Sequence, residues 1–231
     1  MDTSTLTPVS EPEELHLDEQ RPRVTISVSR ATAAHLEGWL TEKRLIAAHE
    51  AAHCAVACLT EPKLGVSAVS ITGQHSGWTE TDEDDDRKPA MQSERQLWSS
   101  LLVSLAGWAM EHALLGQVTT GSESDLKRAT AIALRRCAAG MTPDDIFVSL
   151  DAFRYDETPR FLTDRIGRSV VRQLTEARLE VTGLVAAHRD RILTLAETIF
   201  TARRLSDCAL HDALIEAGFE PLRTDDDPKW P

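Results

Sequence analysis

The sequence has no long apolar run, few aromatic residues and no excess of positive charge, and each absence removes a class of function. No stretch of about 18 apolar residues occurs, so no membrane insertion is expected. One Tyr and five Phe among 231 residues, with a formal charge of −12, leave no basic surface interleaved with aromatics, so nucleic acid is not an expected partner. No Cys-x-x-Cys pair occurs, and Cys54, Cys58, Cys137 and Cys208 read as reduced thiols of a cytoplasmic protein. No glycine is followed by lysine, so the phosphate loop of ATPases is missing. The chain is therefore expected to bind no ATP, and saturable binding in a nucleotide titration would contradict that. Residues 1–22 are polar and acidic, without the basic start and apolar centre of a secretory signal.

Against this background one stretch carries chemistry. Leu45 to Leu59, LIAAHEAAHCAVACL, contains His49-Glu50-Ala51-Ala52-His53. In a helix, positions four apart lie about 40° apart on one face, so both imidazoles can reach one metal. Glu50 lies about 100° further round, where it can meet a water rather than the metal. The six alanines between 47 and 57 favour a helix. Leu45, His49, Ala52, His53 and Val56 form a stripe at helical spacing, which predicts that the histidines face other protein. A buried alanine-rich helix with two satisfied histidines would give the same short match, so a third ligand must come from elsewhere.

The rest of the chain predicts a mainly α fold with a small β-sheet or hairpin. Residues 1–30 read as a disordered or partly extended tail, with a short strand at Arg23 to Ser29. A helical domain is expected over 31–220 and a polar tail over 221–231. Val66 to Thr72 reads as a strand, 73–77 as a turn and Trp78 to Thr81 as a return strand. Asp82 to Arg87 reads as a solvated acidic loop. Ser93 to Leu115 predicts one long helix ended by Gly116. Ser122 is the expected cap of a helix over Glu123 to Ala139, and Thr142-Pro143-Asp144 the start of another. Helical spacing runs from Leu162 to Ile199; an unbroken rod would be about 57 Å long, so a break is expected between Gly183 and Asp190. Ser206 is expected to cap a last helix ending at Gly218.

A catalytic zinc has three protein ligands and an open position for water, whose proton passes to a nearby carboxylate. Glu50 suits that carboxylate role. Val56 and Leu59 stand where the extended metzincin pattern needs Gly and His, so that class is excluded. Candidate third ligands are Glu80, Glu83, Glu111, Glu123 and Asp125. Glu111 stands out because an unpaired carboxylate in an apolar helix is costly. Asp125 stands out beside Ser122, although a carboxylate there also suits a helix N-terminus. Physical reasoning on the residues leaves the choice between them open.

Val118 to Thr130, VTTGSESDLKRAT, resembles the third-ligand segment of the FtsH-type zinc peptidases. The order of other segments is similar too: the histidine motif, a strand, Gly77-Trp78-Thr79, and a Gly-x-Ala-x-Glu helix at Gly107 to Glu111. The similarity runs from about Lys43 to Gly218. It implies one Zn²⁺ held by His49, His53 and Asp125, with Glu50 as general base and Glu111 orienting a ligand imidazole. It also implies that the strand at Val69, Ser70, Ile71 and Thr72 offers an edge to substrate. The implied activity is a metalloendopeptidase acting on peptides or unfolded proteins, as a homo-oligomer or with a separate ATPase partner. The alternative is a non-catalytic zinc-binding adaptor built on the same fold. This chain departs from the family at Ala52, where Gly is usual, and at Ala106 and Trp108, where Gly and Arg are usual. The Pro and Arg that usually follow the strand are missing after Thr72.

Overall fold

The computed structural model describes residues 42–73, 76–81, 91–142 and 160–222. The expected N-terminal tail, its strand and helix, the acidic loop with Glu83, the helix start at Pro143 and the tail from Thr224 lie outside the described residues. Six helices and three strands are described: α1 (Glu42–Leu59), β1 (Val66–Ser70), β2 (Trp78–Thr81), α2 (Glu94–Ser104), α3 (Ala106–Leu115), α4 (Glu123–Ala138), α5 (Arg160–Ala202), β3 (Arg204–Ser206) and α6 (Asp207–Glu216). This is the mainly α architecture with a small sheet that the residue pattern predicts. None of these helices is long and apolar enough to cross a membrane.

The fold is built around α1. Every residue from Ala47 to Cys58 is buried, so this helix has no solvent face over three turns. The sequence predicts one apolar stripe. The structure instead surrounds the helix, because alanine side chains let neighbours close in from all sides. α2, α3 and α5 pack against it, and Val56, Leu101, Met110, Ile192 and Leu195 are fully buried in the shared core.

The stretch expected to be one helix from Ser93 to Leu115 is two, α2 and α3, divided at Leu105 (φ −98°, ψ 0°). Ser93 opens α2 with a capping box, accepting from the Gln96 amide while its own amide donates to Gln96 Oε1. At the other end, Ser100 and Ser104 hydroxyls donate to the carbonyls of Gln96 and Ser100, both at 2.8 Å. Such back-bonding bends helices. Gly116 ends α3 in the left-handed region (φ +68°), where a side chain is disfavoured.

α5 runs from Arg160 to Ala202 with non-helical geometry at His188 (φ −116°, ψ 15°), inside the expected window for a break. The C-terminal turn docks there. Arg191 Nε donates to Ala217 O at 3.3 Å, and its guanidinium lies 4.3 Å from the centre of the Phe219 ring.

The sheet has the order β2-β1-β3, with both pairings antiparallel. The hairpin is as expected, but β3 is an addition that the sequence does not announce. It is three residues long, too short for alternation to register. The turns beside it use Arg203 (φ 65°) and Asp207 (φ 50°), neither of them the glycine that would signal such a turn.

Leu101 is fully buried in the core. Leu101→Ala should lower stability by about 2–5 kcal/mol, measured by chemical denaturation.

Candidate metal centre

Three elements converge on one cleft. α1 contributes His49, Glu50 and His53 from its buried middle. α3 contributes Glu111, which is 2% exposed in an apolar helix and therefore needs partners. A single 3₁₀ turn, Thr120–Ser122, leads into α4 and brings Asp125 to the same place. The cleft has a volume of about 730 Å³ and is lined by these groups with Leu45, Ile46, Val103 and β2 residues Trp78, Thr79 and Thr81.

Both imidazoles are oriented from behind. His53 Nδ1 donates to the carbonyl of Val103 at 2.7 Å. That carbonyl belongs to the last turn of α2, where helix carbonyls have spare accepting capacity. His49 Nδ1 donates to Glu111 Oε1 at 2.8 Å. A carbonyl and a carboxylate can only accept, so each Nδ1 carries a proton and each Nε2 is turned toward the cleft. There the two Nε2 atoms meet one oxygen, Asp125 Oδ2, at 2.9 Å from His49 and 3.2 Å from His53.

Glu111 also joins the third element to this pair. Its Oε2 accepts from the Thr119 amide at 2.6 Å, at the entrance to the turn that delivers Asp125. Thr119 Oγ1 in turn accepts from the Gly121 amide at 3.1 Å. Ser122 holds the position before α4 but makes no side-chain cap, and its hydroxyl is buried without a partner. The reason is local: with φ −83° and ψ 6° it already follows the 3₁₀ turn, whereas a capping serine needs extended geometry. Thr119, not Ser122, does the capping.

The ligand atoms of His49, His53 and Asp125 all lie within 4.8 Å of one another, so these three residues could hold one metal ion. Ligand atoms on a tetrahedral zinc with bonds of about 2.0–2.1 Å stand about 3.3 Å apart, and the observed 2.9 and 3.2 Å contacts approach that spacing. Two neutral imidazoles and a carboxylate are a donor set that suits zinc. Of the remaining candidates, Glu80 sits in β2 paired with Ala68, and Glu123 is exposed. Neither lines the cleft.

Glu50 is buried beside the triad. Its Oε2 accepts from the Thr79 hydroxyl at 2.7 Å. Thr79 was noticed in the sequence only as part of a Gly-aromatic-Thr match; its contact with Glu50 depends on how β2 lies across α1.

The electrostatics follow from this crowding. Burial alone would push the His49 imidazole down, but its hydrogen bonds to Asp125 and Glu111 and the charge of Glu50 outweigh it and raise it to about 10. Burial pushes the Asp125 carboxyl up, yet the two histidines hold it well below the usual range. Glu111 is likewise lowered, its contact with His49 overcoming burial. Cys54 Sγ lies 3.9 Å from the Thr79 hydroxyl that Glu50 engages. All four cysteines are free thiols, three of them buried, and burial pushes Cys58 up to about 12.

Two expectations need correction. Val69, Ser70, Ile71 and Thr72 do not form a free edge for substrate. β1 is the central strand: Val69 pairs with Thr79 on one side and Leu205 on the other, and the Ile71 amide donates to Arg203 O. The unforeseen β3 occupies that edge. β2 is the strand of the sheet that lines the cleft, with no strand on its outer side among the described residues. Trp108, expected beside the site in place of a charged group, does not line the cleft. It stacks on His112, with Arg178 5.9 Å from its ring centre. Ala52 and Ala106 are both fully buried.

Comparison with known proteins identifies a family. The pattern describing Peptidase family M41 matches residues 40–212. The ATP-dependent zinc metalloprotease FtsH 2 of Symbiobacterium thermophilum is 33% identical over 165 residues, covering 67% of this chain and 27% of that protein. FtsH 4 of Sphaerobacter thermophilus, also named an ATP-dependent zinc metalloprotease, is 28% identical over 202 residues, covering 81% of this chain and 30% of that protein. The chain thus spans less than a third of the length of these relatives.

A metal on His49 Nε2 would compete with a proton for that nitrogen. With His49 raised from 6.5 to about 10, the metal-free protein is expected to carry that proton at neutral pH and would release it if metal binds. Apparent zinc affinity should therefore rise about tenfold per pH unit between about pH 6 and 8, measured by chelator competition. The sign for stability is opposite. A raised histidine stabilises the metal-free fold fully below pH 6.5, and that contribution is lost as pH rises through about 10. A flat affinity profile would show that His49 is neutral without metal.

Proposed function

The chain belongs to peptidase family M41, and from that premise we propose that it is a zinc-dependent endopeptidase acting on peptides or already unfolded chains. The observation that carries the proposal is the convergence of His49 Nε2, His53 Nε2 and Asp125 Oδ2, with both Nδ1 atoms already committed elsewhere. His49, His53 and Asp125 hold the metal in this reading. When bound, zinc supplies Lewis-acid activation of a water and of the scissile carbonyl.

The chain's own residues do the rest. Glu50 is the general base. Thr79 fixes Oε2, and no hydrogen bond to Oε1 is described, which leaves that oxygen to accept the proton from the attacking water. The protonated carboxyl then stands ready to pass the proton to the leaving amine. Burial serves this step, because Glu50 is 6% exposed and the carboxylate is not solvated away from the cleft. Glu111 holds the His49 imidazole in the tautomer that frees Nε2. The Val103 carbonyl does the same for His53.

The substrate class follows from the cleft's border. β2 offers backbone groups along one wall, with Trp78, Thr79 and Thr81 lining it, and an extended segment can pair with an open strand edge. A folded domain presents no such segment, so peptides and unfolded chains are the expected substrates.

Glu50→Gln keeps the size of the side chain and removes the base. Zinc content and helical signal should survive, while cleavage of an unfolded substrate should fall at least about 100-fold. Cleavage at the parent's rate would mean that hydrolysis does not pass through Glu50. A parent protein that binds zinc and cleaves no unfolded substrate would favour the adaptor reading instead.

The ligand set has its own test in metal content. Asp125→Ala should empty the site, whereas Glu111→Ala should weaken zinc binding by about 10- to 100-fold. The reverse pattern would exchange the roles of the two carboxylates.

A further inference from the structure

At Gly107 and Gly77, beside the site, the space a side chain would fill is already taken by a functional side chain. Gly107 lies in the first turn of α3, with its Cα against the face of the His49 ring. A Cβ built there would stand 2.2 Å from His49 Nε2, 2.4 Å from Cε1 and 2.5 Å from Cδ2. These distances are far inside van der Waals contact. The ring cannot swing away without loss, because Glu111 holds Nδ1 and Asp125 meets Nε2. The backbone behind it cannot retreat either, since Ala48 and Ala52 on the same helix are fully buried. Gly107 has no need of a left-handed backbone inside a helix, and alanine would be the better helix former. Contact with the imidazole is therefore the reason for glycine that the structure offers.

Gly77 stands in the same relation to the base. A Cβ there would lie 2.6 Å from Glu50 Oε1 and 2.7 Å from its Cγ, with Ile46 Cγ2 at 2.9 Å. Gly77 precedes β2, whose Thr79 holds the other carboxylate oxygen.

We propose that Gly107 and Gly77 are positioning residues: the missing side chain of the first sets the His49 imidazole, and that of the second sets the Glu50 carboxylate. This rests on the zinc-peptidase reading, and it separates the two halves of the site. Gly107 governs how the metal is held. Gly77 governs the base and leaves the metal alone.

Cobalt(II) in place of zinc reports ligand geometry through its visible absorption. Gly107→Ala should keep its helical signal, bind cobalt about 10- to 100-fold more weakly than the parent and shift the visible bands. Gly77→Ala should bind cobalt with the parent's affinity and bands, while kcat on an unfolded substrate falls about 100-fold with KM little changed. Gly167→Ala in α5, where an added Cβ meets nothing within 4 Å, is the control and should match the parent throughout. Parent-like cobalt binding and spectrum in Gly107→Ala would overturn the role of Gly107. Parent-like kcat in Gly77→Ala would overturn that of Gly77.

If Gly107→Ala is too unstable to load, a second cycle decides. The destabilisation measured in the metal-free protein should largely vanish in a His49→Ala background, where the ring is gone. Equal destabilisation in both backgrounds would show that the clash is not with the imidazole. A parent that binds no cobalt would defeat the metal reading itself, and the same stability cycle would still test the contact at Gly107.

Discussion

Burial of α1 on every side is the constraint on which the rest depends. From Ala47 to Cys58 the helix meets protein all round, yet three of those twelve residues are His49, Glu50 and His53. Polar groups in such a place must be paired or they cost several kcal/mol each. The surrounding elements read as the answer to that demand. α2 ends near Val103, whose carbonyl takes the His53 proton. α3 carries Glu111 to His49, and β2 carries Thr79 to Glu50. Glu111 also holds the Thr119 amide at the entrance to the 3₁₀ turn before α4. Here each ring is satisfied at Nδ1 by a fixed acceptor and left at Nε2 to a shared oxygen.

Small side chains make the arrangement sterically possible. Alanine at 47, 48, 51 and 52 lets other helices approach closely, and Ala106, Gly107 and Ala109 answer from α3. The close approach puts the Gly107 backbone on the ring of His49 and places Glu111, one turn further along, at its nitrogen. Ala52 is compatible with this packing: it is fully buried, and the histidines on either side of it along the chain keep their contacts.

How much of this could be read in the sequence depends on the range of the interaction. The histidine pair and Glu50 are a local pattern on one helix, and helical geometry alone predicts their relative directions. The strand and return strand within 66–81 were also local. So was the break in α5, predicted from length and found at His188. Asp125 was different. It lies 76 residues from His49, and physical reasoning had left it level with Glu111. In the structure the two carboxylates meet different nitrogens of the same ring, Glu111 at Nδ1 and Asp125 at Nε2. What escaped altogether was non-local or too short. The division of α2 from α3 follows two serine hydroxyls bonded back to their own helix, a choice the sequence does not reveal. β3 is three residues set between two non-glycine turns, and its presence converts β1 from an edge into the sheet's centre. The substrate-edge expectation failed for that reason alone, since pairing on the far side of a strand leaves no trace in the strand's own sequence.

The charge of the cluster ties the fold to its ligand. Glu50, Glu111 and Asp125 surround two imidazoles in a largely buried space, and three carboxylates with neutral histidines would sum to −3. A like-charged cluster of this kind is tolerated only with a compensating cation. In the metal-free protein the proton on His49 serves, which is why its affinity for that proton is raised despite burial. A divalent cation among His49 Nε2, His53 Nε2 and Asp125 Oδ2 would compensate twice as much charge and would leave both Nδ1 contacts untouched. The same groups that make the metal-free site expensive would favour a dication there, and on the proposed reading its binding is expected to stabilise the packing of α1 against α3 and α4 as well as to equip the cleft for hydrolysis.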